Sequence, residues 1–547
     1  MGVTSRPAGR RTRWIIVSAA GSLALALLLA AVIVATRPDT PKAQPTPSAA
    51  PSAAELSFER PEGWSPYRPS FHLTPGEHWI NDPQRPFFAG GEWHLYYLYN
   101  ADYPDGNGTE WYHATSDDLV SWQNQGVAIE KYRNGLGDIL TGSAVVDTEG
   151  TAGFGRGAVV ALVTQQDDGV QRQSLFYSTD NGYSFQGYDG NPVMDNPGVV
   201  DWRDPKVLWD EVNAQWVMVL AEGERLGFYV SPDLRSWRYV SDFARDDLGL
   251  LECADLFEMT DASGRRTWIL AASADGTASG RTTGLVYWTG TWDGSTFTAD
   301  VDDPLWLDDG ADFYAAVTWD DPRQSEAVRL ESRFALGWIN NWAYARDLPP
   351  EDWQGGALSL TRRLTLVEEA GRLVLRSQPV DALADYAGEA RTAETITVEP
   401  GNVSDLALQP DDSAYRLQTT LDVPDSGEVR LRLFDTGATA VTVGYDADRD
   451  VVFVNRERDT AAPDMPEVYR EIRTTGPLDS GGTLALDIVV DHSSVEVFVG
   501  DGRASLTTAV YPAESTRISV EAVGDEPVTL RDLRVAPIAV AQKNGLF

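Results

Sequence analysis

A pattern of about ten residues that recurs along the first half of the chain is the strongest constraint on its fold. The pattern runs from an aromatic residue through an Asp-centred turn to a Ser-x-aromatic ending, as in residues 113–122, HATSDDLVSW. It returns in residues 176–185 and 228–237, and more loosely in residues 287–297, with closing aromatic residues 63, 52 and 60 positions apart. Repeats of this length that each hold several short strands are typical of β-propeller blades. The alternative is four unrelated hairpins that share the same turn chemistry.

The pattern of the strands indicates two β-domains. From about residue 58 the chain has short runs of aromatic and β-branched residues, such as residues 93–99, broken by Gly, Asp and Asn. After about residue 385 the tryptophans stop, and segments such as residues 494–499 alternate with a period of two, as in a half-exposed antiparallel sheet. We therefore predict an all-β protein with a propeller over residues 58–375 and a C-terminal β-sandwich over residues 385–541.

The N-terminal segment predicts export. Residues 14–35 carry no charge over 22 positions and follow four arginines within residues 6–13. At a rise of about 1.5 Å per residue this run spans a hydrocarbon core of roughly 30 Å, and the arginines favour the cytoplasmic side. Residues 1–35 are therefore expected to form a transmembrane anchor or signal helix, followed by a Pro/Ala/Ser-rich linker over residues 36–57. The protein is expected to be extracellular, either secreted or anchored to the membrane through this segment alone.

The charge balance excludes nucleic acids as partners. The chain carries a net charge of −38, and beyond residue 42 it has 38 basic and 81 acidic residues, a net charge of −43. Such a body repels phosphate backbones but not a neutral polysaccharide. Cys253 is the only cysteine, and the five histidines form no H-x-x-x-H pair. The sequence therefore predicts no intrachain disulfide and no metal site, and nothing in it indicates an organic cofactor or an oligomeric state.

Three acidic residues stand among large apolar neighbours. Asp82 lies in WINDP, Asp204 in WRDP and Glu252 in LECADLF. An ionised carboxylate in apolar surroundings is costly unless it is paired or used. In blades of roughly 60 residues the three acids fall on different blades, whose inner strands can converge on the propeller axis. Because glycoside cleavage needs two carboxyl groups beside the scissile bond, the acids predict a glycosidase. The alternative is an Asx turn at each Asp-Pro and a surface position for Glu252.

Longer motifs around these acids resemble those of glycoside hydrolase family 32, which contains invertases, inulinases, levanases and related fructosyl-transferring enzymes. The motifs that carry the three acids are residues 71–83 (FHLTPGEHWINDP), 202–205 and 252–257. Further matching stretches, in the family's order, are residues 141–146, 312–316, 336–342 and 491–498. The resemblance covers residues 65 to 540 and implies a five-bladed β-propeller followed by a β-sandwich.

The resemblance also implies a retaining mechanism on a β-fructofuranoside. Asp82 would be the nucleophile that forms a covalent fructosyl-enzyme, and Glu252 would be the general acid and then the base. Asp204, with Arg203 beside it, would hold fructose hydroxyls and stabilise the oxocarbenium-like transition state. Asn81 and Trp338 would line the fructose subsite.

The chain departs from the usual family motifs around the pocket. The departures are Gln84-Arg85 in place of Asn-Gly, Thr141 in place of Ser, Leu98 in place of Gln, Ala254 in place of Pro, and Gly106 where many members have an aromatic residue. None removes a catalytic carboxylate, but all alter the rim of the pocket, so sucrose is not the expected substrate. Residues 99–111 together with Gln84-Arg85-Pro86 most resemble the bacterial branch of the family that degrades levan, a β-2,6-fructan.

The residues that differ are themselves candidates for substrate binding. Gln84, Arg85 and Thr141 are expected to contact substrate with Asn81, Arg203 and Trp338. Arg85 offers a fork of donors for a second fructosyl unit, which would lead to release of a disaccharide. The alternative for Arg85 is an ion pair with a nearby acid of this strongly acidic body.

Three functions compete at this point. The first is hydrolysis of levan, and the second is a levan fructotransferase, in which a hydroxyl of the same chain attacks the fructosyl ester and gives a cyclic difructose anhydride. The third is a non-catalytic fructan-binding protein at the cell surface. Three intact acids argue against the third function, because a binder has no reason to keep buried carboxylates at these positions.

Overall fold

The computed structural model describes residues 63–538, an almost wholly β structure. The predicted anchor or signal segment (residues 1–35) and linker (residues 36–57) lie outside the described residues. Within the described range no helix is long and apolar enough to span a bilayer. The helices there are α1 (Glu326–Glu331), α2 (Glu467–Arg470) and two short 3-10 helices, Thr277–Ser279 and Asp381–Tyr386.

Five sheets form between residues 78 and 379, each built mainly from strands that are consecutive in sequence. The first contains β1 (His78–Ala89), β2 (Glu92–Asn100), β3 (Glu110–Ser116) and β4 (Gln123–Ile129). The second contains β5 (Asp138–Asp147), β6 (Ala158–Asp167), β7 (Val170–Ser178) and β8 (Gln186–Gly187). The third contains β9 (Trp202–Asp210), β10 (Gln215–Glu222), β11 (Arg225–Ser231) and β12 (Arg238–Ala244).

The fourth and fifth sheets carry short additional strands. The fourth contains β13 (Leu251–Thr260), β14 (Arg266–Ala274), β15 (Gly284–Trp292), β16 (Phe297–Ala299) and β17 (Leu305–Trp306). The fifth contains β18 (Tyr314–Trp319), β19 (Ser332–Ile339), β21 (Ala357–Leu358), β22 (Arg362–Glu369) and β23 (Arg372–Pro379). The intervening strand β20 (Trp353–Gln354) runs parallel to β1 and joins the first sheet.

The first strand of each of these sheets lies innermost. These five strands form a closed circuit of contacts. Strand β1 contacts β5, β5 contacts β9, β9 contacts β13, β13 contacts β18, and β18 contacts β1. Sheets arranged in this way around one axis form a propeller, as the repeat predicts. Because the five inner strands run in the same direction, their N-terminal ends meet at one end of the axis.

The repeated pattern corresponds to the hairpin between the third and fourth strands of the first four sheets. In each hairpin an aspartate side chain accepts hydrogen bonds from the backbone N–H groups of the turn. The acceptors are Asp118, Asp180, Asp233 and Asp293, at N···O distances of 2.8 to 3.0 Å. The four hairpins therefore share both their turn chemistry and their position in a sheet, so the alternative of four unrelated hairpins is wrong.

Two six-stranded sheets form the C-terminal sandwich. One has the order β24 (Arg391–Val398), β35 (Val528–Pro537), β26 (Tyr415–Asp422), β31 (Thr483–Asp491), β32 (Ser494–Val499), β33 (Ala504–Ala509). The other has the order β25 (Val403–Asp405), β34 (Ser519–Val523), β27 (Glu428–Leu433), β28 (Val441–Asp446), β29 (Val451–Asn455), β30 (Arg473–Thr474). Alternate residues of both sheets, such as Val429, Leu431 and Ile488, fill one apolar core.

A buried ionic network joins the propeller to the sandwich. Arg362 of β22 is fully buried and donates to Asp308 of the propeller at 2.8 Å and to Glu496 of the sandwich at 2.6 Å. His72 lies between Asp491 and Glu496, 2.9 Å from each. Burial alone would lower the pKa of His72, but its hydrogen bonds to these two carboxylates and their charges raise it to about 9. Each buried charge in the network is thus compensated by an oppositely charged partner, and removing one partner would leave an uncompensated buried charge.

Removal of the central cation is expected to weaken this junction strongly. Arg362→Met leaves Asp308 and Glu496 buried without a guanidinium, which costs about 3–5 kcal/mol of unfolding free energy. Denaturant unfolding measures this loss. The neighbouring Arg363→Met is the matched control, because Arg363 is 39% exposed and pairs at 3.5 Å with an exposed Asp381, so its loss is under about 1 kcal/mol. Equal losses in the two variants would contradict this account of the interface.

Candidate active site

Every inner strand carries a β-bulge close to its N-terminal end, and these bulges shape the site. The pairing register shifts between Asn81 and Pro83, Ile139 and Gly142, Arg203 and Lys206, Glu252 and Asp255, and Tyr314 and Val317. A bulge turns side chains away from strict alternation and is frequent beside active sites. Asp82, Asp204 and Cys253 adopt positive φ angles of 27°, 64° and 47°, which cost about 1–3 kcal/mol each. The structure therefore holds these residues in strained positions around the axis.

Asp82 projects from the bulge of β1 and is held by the neighbouring sheet. Its Oδ2 accepts a hydrogen bond of 2.7 Å from Thr141 Oγ1 of β5. Thr141 can reach because the next residue, Gly142, packs closely: a Cβ there would lie 2.1 Å from the Leu162 carbonyl oxygen. The buried Oδ1 of Asp82 has no hydrogen-bond partner among the described residues. One carboxylate oxygen is therefore fixed and the other is left unpaired.

Asp204 lies beside Asp82, with Cys253 between them. Its Oδ2 accepts a hydrogen bond of 3.0 Å from the Cys253 backbone N–H. The Cys253 sulfur is 3.7 Å from Asp204 Oδ2 and 4.0 Å from Asp82 Oδ2. One buried sulfur atom thus touches both carboxylates, which places the two acids on adjoining sides of a single space.

Glu252 is held from two other strands. Its Oε1 accepts hydrogen bonds of 3.0 and 2.9 Å from Arg203 Nε and Nη2, and its Oε2 accepts one of 2.5 Å from the Tyr314 hydroxyl. Arg203 also donates to Asp201 at 2.6 Å. Tyr314 and Asp201 were not predicted as site residues, although Tyr314 lies in the matching stretch 312–316. Asp82, Asp204, Glu252 and Arg203 are called the carboxylate site below.

Burial and mutual repulsion control protonation in the carboxylate site. Burial, and then the charge of Glu252, raises the pKa of Asp82 to about 6, against the opposing effects of the Thr141 hydrogen bond and Arg203. Burial also raises the pKa of Asp204, and Arg203 opposes this rise. Burial alone would lower the pKa of Arg203, but the charges of Glu252 and Asp204 raise it, so Arg203 stays a cation. Arg203 therefore faces the three carboxyl groups of the site and also pairs with Asp201.

Aromatic rings line the space next to Asn81. Asn81 Oδ1 accepts a hydrogen bond of 2.8 Å from Trp79 Nε1, and the Trp79 ring stacks on Trp342 with centroids 6.1 Å apart. Trp342 is 40% exposed, whereas the predicted Trp338 is fully buried behind it and donates to the Gly355 carbonyl. Tyr103 lies over Trp79 at 5.0 Å. The exposed ring of this cluster is thus Trp342, and the predicted Trp338 packs against both Trp79 and Trp342.

Gln84 and Arg85 do not occupy the predicted positions. Gln84 has no exposed surface, donates to the Asp82 carbonyl at 2.9 Å and accepts from the Gly142 N–H at 2.8 Å, so it ties β1 to β5. Arg85 points along the axis away from the carboxylate site and donates to the Val207 carbonyl at 3.1 Å. The second bulge of β1, between Gln84 and Phe87, accounts for the difference.

A propeller whose axis holds paired carboxyl groups, an arginine and stacked indole rings defines a class of protein, the glycoside hydrolases that work with two carboxyl groups. Comparisons with known proteins agree. Residues 72–377 match the glycosyl hydrolases family 32 N-terminal domain, and residues 382–537 match the family 32 C-terminal domain. The chain belongs to glycoside hydrolase family 32 and is a glycosidase.

Relatives and solved structures support this assignment. The chain is 44% identical to the levanbiose-producing levanase of Bacillus subtilis over 454 residues, which are 82% of this chain and 86% of that protein. It is 45% identical to the levanbiose-producing levanase of Geobacillus stearothermophilus over 397 residues, 71% and 98% of the two chains. The crystal structure of the exo-inulinase from Aspergillus awamori superposes with a TM-score of 0.77 at 27% identity, covering 87% of this chain and 99% of that one.

The raised pKa of Asp82 predicts a pH-dependent cost in stability. Because its folded pKa of about 6 exceeds the unfolded value of 3.8, the ionised carboxylate destabilises the fold as the pH rises through this interval. Asp82→Asn is therefore expected to be more stable than the wild type at pH 7.5, by roughly 1–3 kcal/mol, and equally stable near pH 4. Denaturant unfolding at both pH values measures this difference. Glu149→Gln, at an exposed acid, is the control and should change stability by under about 0.5 kcal/mol. A variant less stable than the wild type at pH 7.5 would contradict the assignment of a buried, repelled carboxylate.

Proposed function

We propose that this protein hydrolyses the β-2,6-fructosidic bonds of levan and releases a disaccharide. The observation that carries the proposal is the carboxylate site in a chain 44% and 45% identical to two levanbiose-producing levanases. The intact and mutually oriented carboxyl groups favour an enzyme over a fructan-binding protein. The five sheets between residues 78 and 379 are proposed to be the five blades that the family resemblance implies.

We assign Asp82 as the nucleophile of a retaining mechanism. Its unpaired Oδ1 is the oxygen free to attack the anomeric carbon, while Thr141 fixes Oδ2. Since the attacking form is the carboxylate, a pKa of about 6 makes Asp82 competent above that pH. Attack breaks the bond from the anomeric carbon to the leaving oxygen and forms a fructosyl ester, which water then hydrolyses.

Glu252 is assigned as the general acid and base. It gives its proton to the departing glycosidic oxygen and then takes one from the attacking water. Burial and the nearby charge of Glu252 raise the pKa of the Tyr314 hydroxyl well above its usual range, so Tyr314 remains a donor that holds Glu252 in place. Arg203 neutralises part of the carboxylate charge. Asp204 is assigned to accept hydrogen bonds from fructose hydroxyls.

We also propose that the protein acts outside the cell. Levan is a polymer too large to cross a membrane, and the four arginines followed by the uncharged residues 14–35 support export. Fractionation of cells that express the full chain tests this, since activity confined to the cytosol would overturn it.

The substrate is tested by incubating the purified protein with levan, inulin and sucrose at equal mass concentration. Levan is expected to be cleaved fastest, with a disaccharide as the first product on chromatography. A cyclic difructose anhydride would instead identify a fructotransferase, because the fructosyl ester is then attacked by a hydroxyl of the same chain. Free fructose as the sole early product would contradict disaccharide release, and faster cleavage of inulin or sucrose would contradict the levan assignment.

The roles of Asp82 and Glu252 can be tested separately with substrates whose leaving groups do or do not need a proton. Asp82→Asn is expected to lose at least about 10³-fold activity on every β-fructoside, whereas Glu252→Gln should lose about 10²–10⁴-fold on levan and far less on a β-fructosyl fluoride, whose leaving group needs no proton. Initial rates on both substrates give the comparison. If Asp82→Asn kept more than a tenth of wild-type activity, a loss below about 1.4 kcal/mol, Asp82 is not the nucleophile.

A further inference from the structure

A large cavity lies at the end of the propeller axis opposite the carboxylate site. It has a volume of about 1050 Å³, and all five inner strands contribute to its wall near their C-terminal ends. The contributions include Phe88 of β1, Asp147 of β5, Trp209 of β9, Glu258 of β13 and Trp319 of β18. We call it the distal cavity.

The distal cavity is separate from the carboxylate site. Five residues of extended strand from Asp204 to Trp209 span about 16 Å. Between them lies a buried polar layer in which Lys206 Nζ is 2.9 Å from Asp255 Oδ2, and Thr318 Oγ1 donates to the same oxygen at 2.7 Å. A ligand in the distal cavity therefore does not reach the reacting carboxylates.

The wall of the distal cavity contains two arginines that form no salt bridge with any described residue, although the charges of Asp320 and Asp255 act on Arg333 from a longer distance. Arg85 and Arg333 form no ion pair within 4.0 Å in the described part of the chain; Arg85 donates to the Val207 carbonyl and Arg333 to the Thr318 hydroxyl. Trp319 is 1% exposed, and its buried Nε1–H has no acceptor among residues 63–538. A buried donor without an acceptor costs free energy, so the Trp319 N–H indicates a ligand that carries hydrogen-bond acceptors, and the two arginines beside it can donate to the same ligand.

The other groups in the wall favour a neutral polyhydroxyl ligand over an anion. The lining has seven carboxyl side chains and four arginines, in a body that is itself strongly acidic, so an anion would be repelled. Arg266 is tied to Glu258 at 2.6 Å and to Glu326 at 3.1 Å, which places donors and acceptors side by side, as hydroxyl groups require. Trp209 and Trp268 offer partly exposed indole faces that can pack on the C–H faces of sugar rings.

We infer that the distal cavity is a second carbohydrate-binding site that holds a segment of the fructan polymer while another segment occupies the carboxylate site. The inference rests on the proposed function for the identity of the polymer. A volume of about 1050 Å³ lies at the upper end of the roughly 300–1,000 Å³ that ligand pockets commonly have, so the cavity can hold more than one fructosyl unit. Two sites on one polymer raise its effective concentration at each, so the second site increases affinity for levan and not for short fructosides.

Binding without turnover tests the inference. In the full chain carrying Asp82→Asn, levan affinity is measured by retardation in native gels that contain levan, with and without Trp268→Ala. Trp268→Ala is expected to weaken retention roughly tenfold, because one of two linked sites is lost. Trp237→Ala is the matched control, a half-buried tryptophan outside the distal cavity, and should change retention less than twofold. Because Trp268 packs against the apolar core of its sheet, Arg266→Gln, whose side chain is 51% exposed, is the second variant if Trp268→Ala does not fold.

Kinetics and an anion control complete the test. Without Asp82→Asn, the Trp268→Ala variant is expected to raise KM for levan while kcat/KM on a short β-fructoside stays within about twofold. Folded Trp268→Ala and Arg266→Gln variants that retain levan as the control does would overturn the inference. Stabilisation by inorganic sulfate that disappears in these variants, without change in levan affinity, would overturn it in favour of an anion site. A wild type that binds levan through Trp268 but does not hydrolyse it would refute the proposed function and leave this inference intact.

Discussion

The repulsion among three carboxyl groups that share one buried space is the constraint on which the rest of the structure depends. Among residues 63–538, Arg203 alone brings a positive charge into contact with these acids, so the acids do not hold themselves together. They remain close because a hydrogen bond from another strand holds each of them. Thr141 of β5 holds Asp82, the Cys253 backbone of β13 holds Asp204, and Tyr314 of β18 holds Glu252. A site of this kind exists only where separate parts of a fold converge, and the closed circuit of inner strands provides that convergence.

The strain at the site is held by the sheets behind it. The positive φ angles at Asp82 and Asp204 persist because β1 and β9 pair along most of their lengths with β2 and β10, so the bulges cannot relax without breaking those ladders. The sandwich braces the same scaffold, since Arg362 of β22 is fixed by Glu496 of β32. Strand pairing and the junction with the sandwich thus stabilise the fold, whereas strain and charge repulsion at the carboxylate site destabilise it, as is common for active sites.

Features encoded by local sequence could be predicted, and features set by bulges could not. The Asp-centred turns at Asp118 and Asp233 depend on neighbouring residues, so their repeat indicated the propeller hairpins. Asp82 and Glu252 stood out because acids are rare in apolar surroundings. The sequence could not predict that Arg85 lies away from the carboxylate site, because two register shifts within β1 decide where its side chain points and the alternation of residues along a strand does not reveal such shifts. Tyr314 reaches Glu252 from another sheet, a contact that depends on tertiary structure alone.

A ring of strands has two ends, and the same geometry that gathers the carboxylates gathers a second set of side chains at the other end. In this chain the layer of Lys206, Asp255 and Thr318 closes the axis between them. Burial lowers the pKa of Lys206 to about 8 although Asp255 opposes this, so the layer is held by a pair that is itself costly to bury. Well-packed apolar residues would close the axis at lower cost. The ion pair instead keeps the axis polar between the carboxylate site and the distal cavity, so hydrogen-bonding groups are present along its whole length.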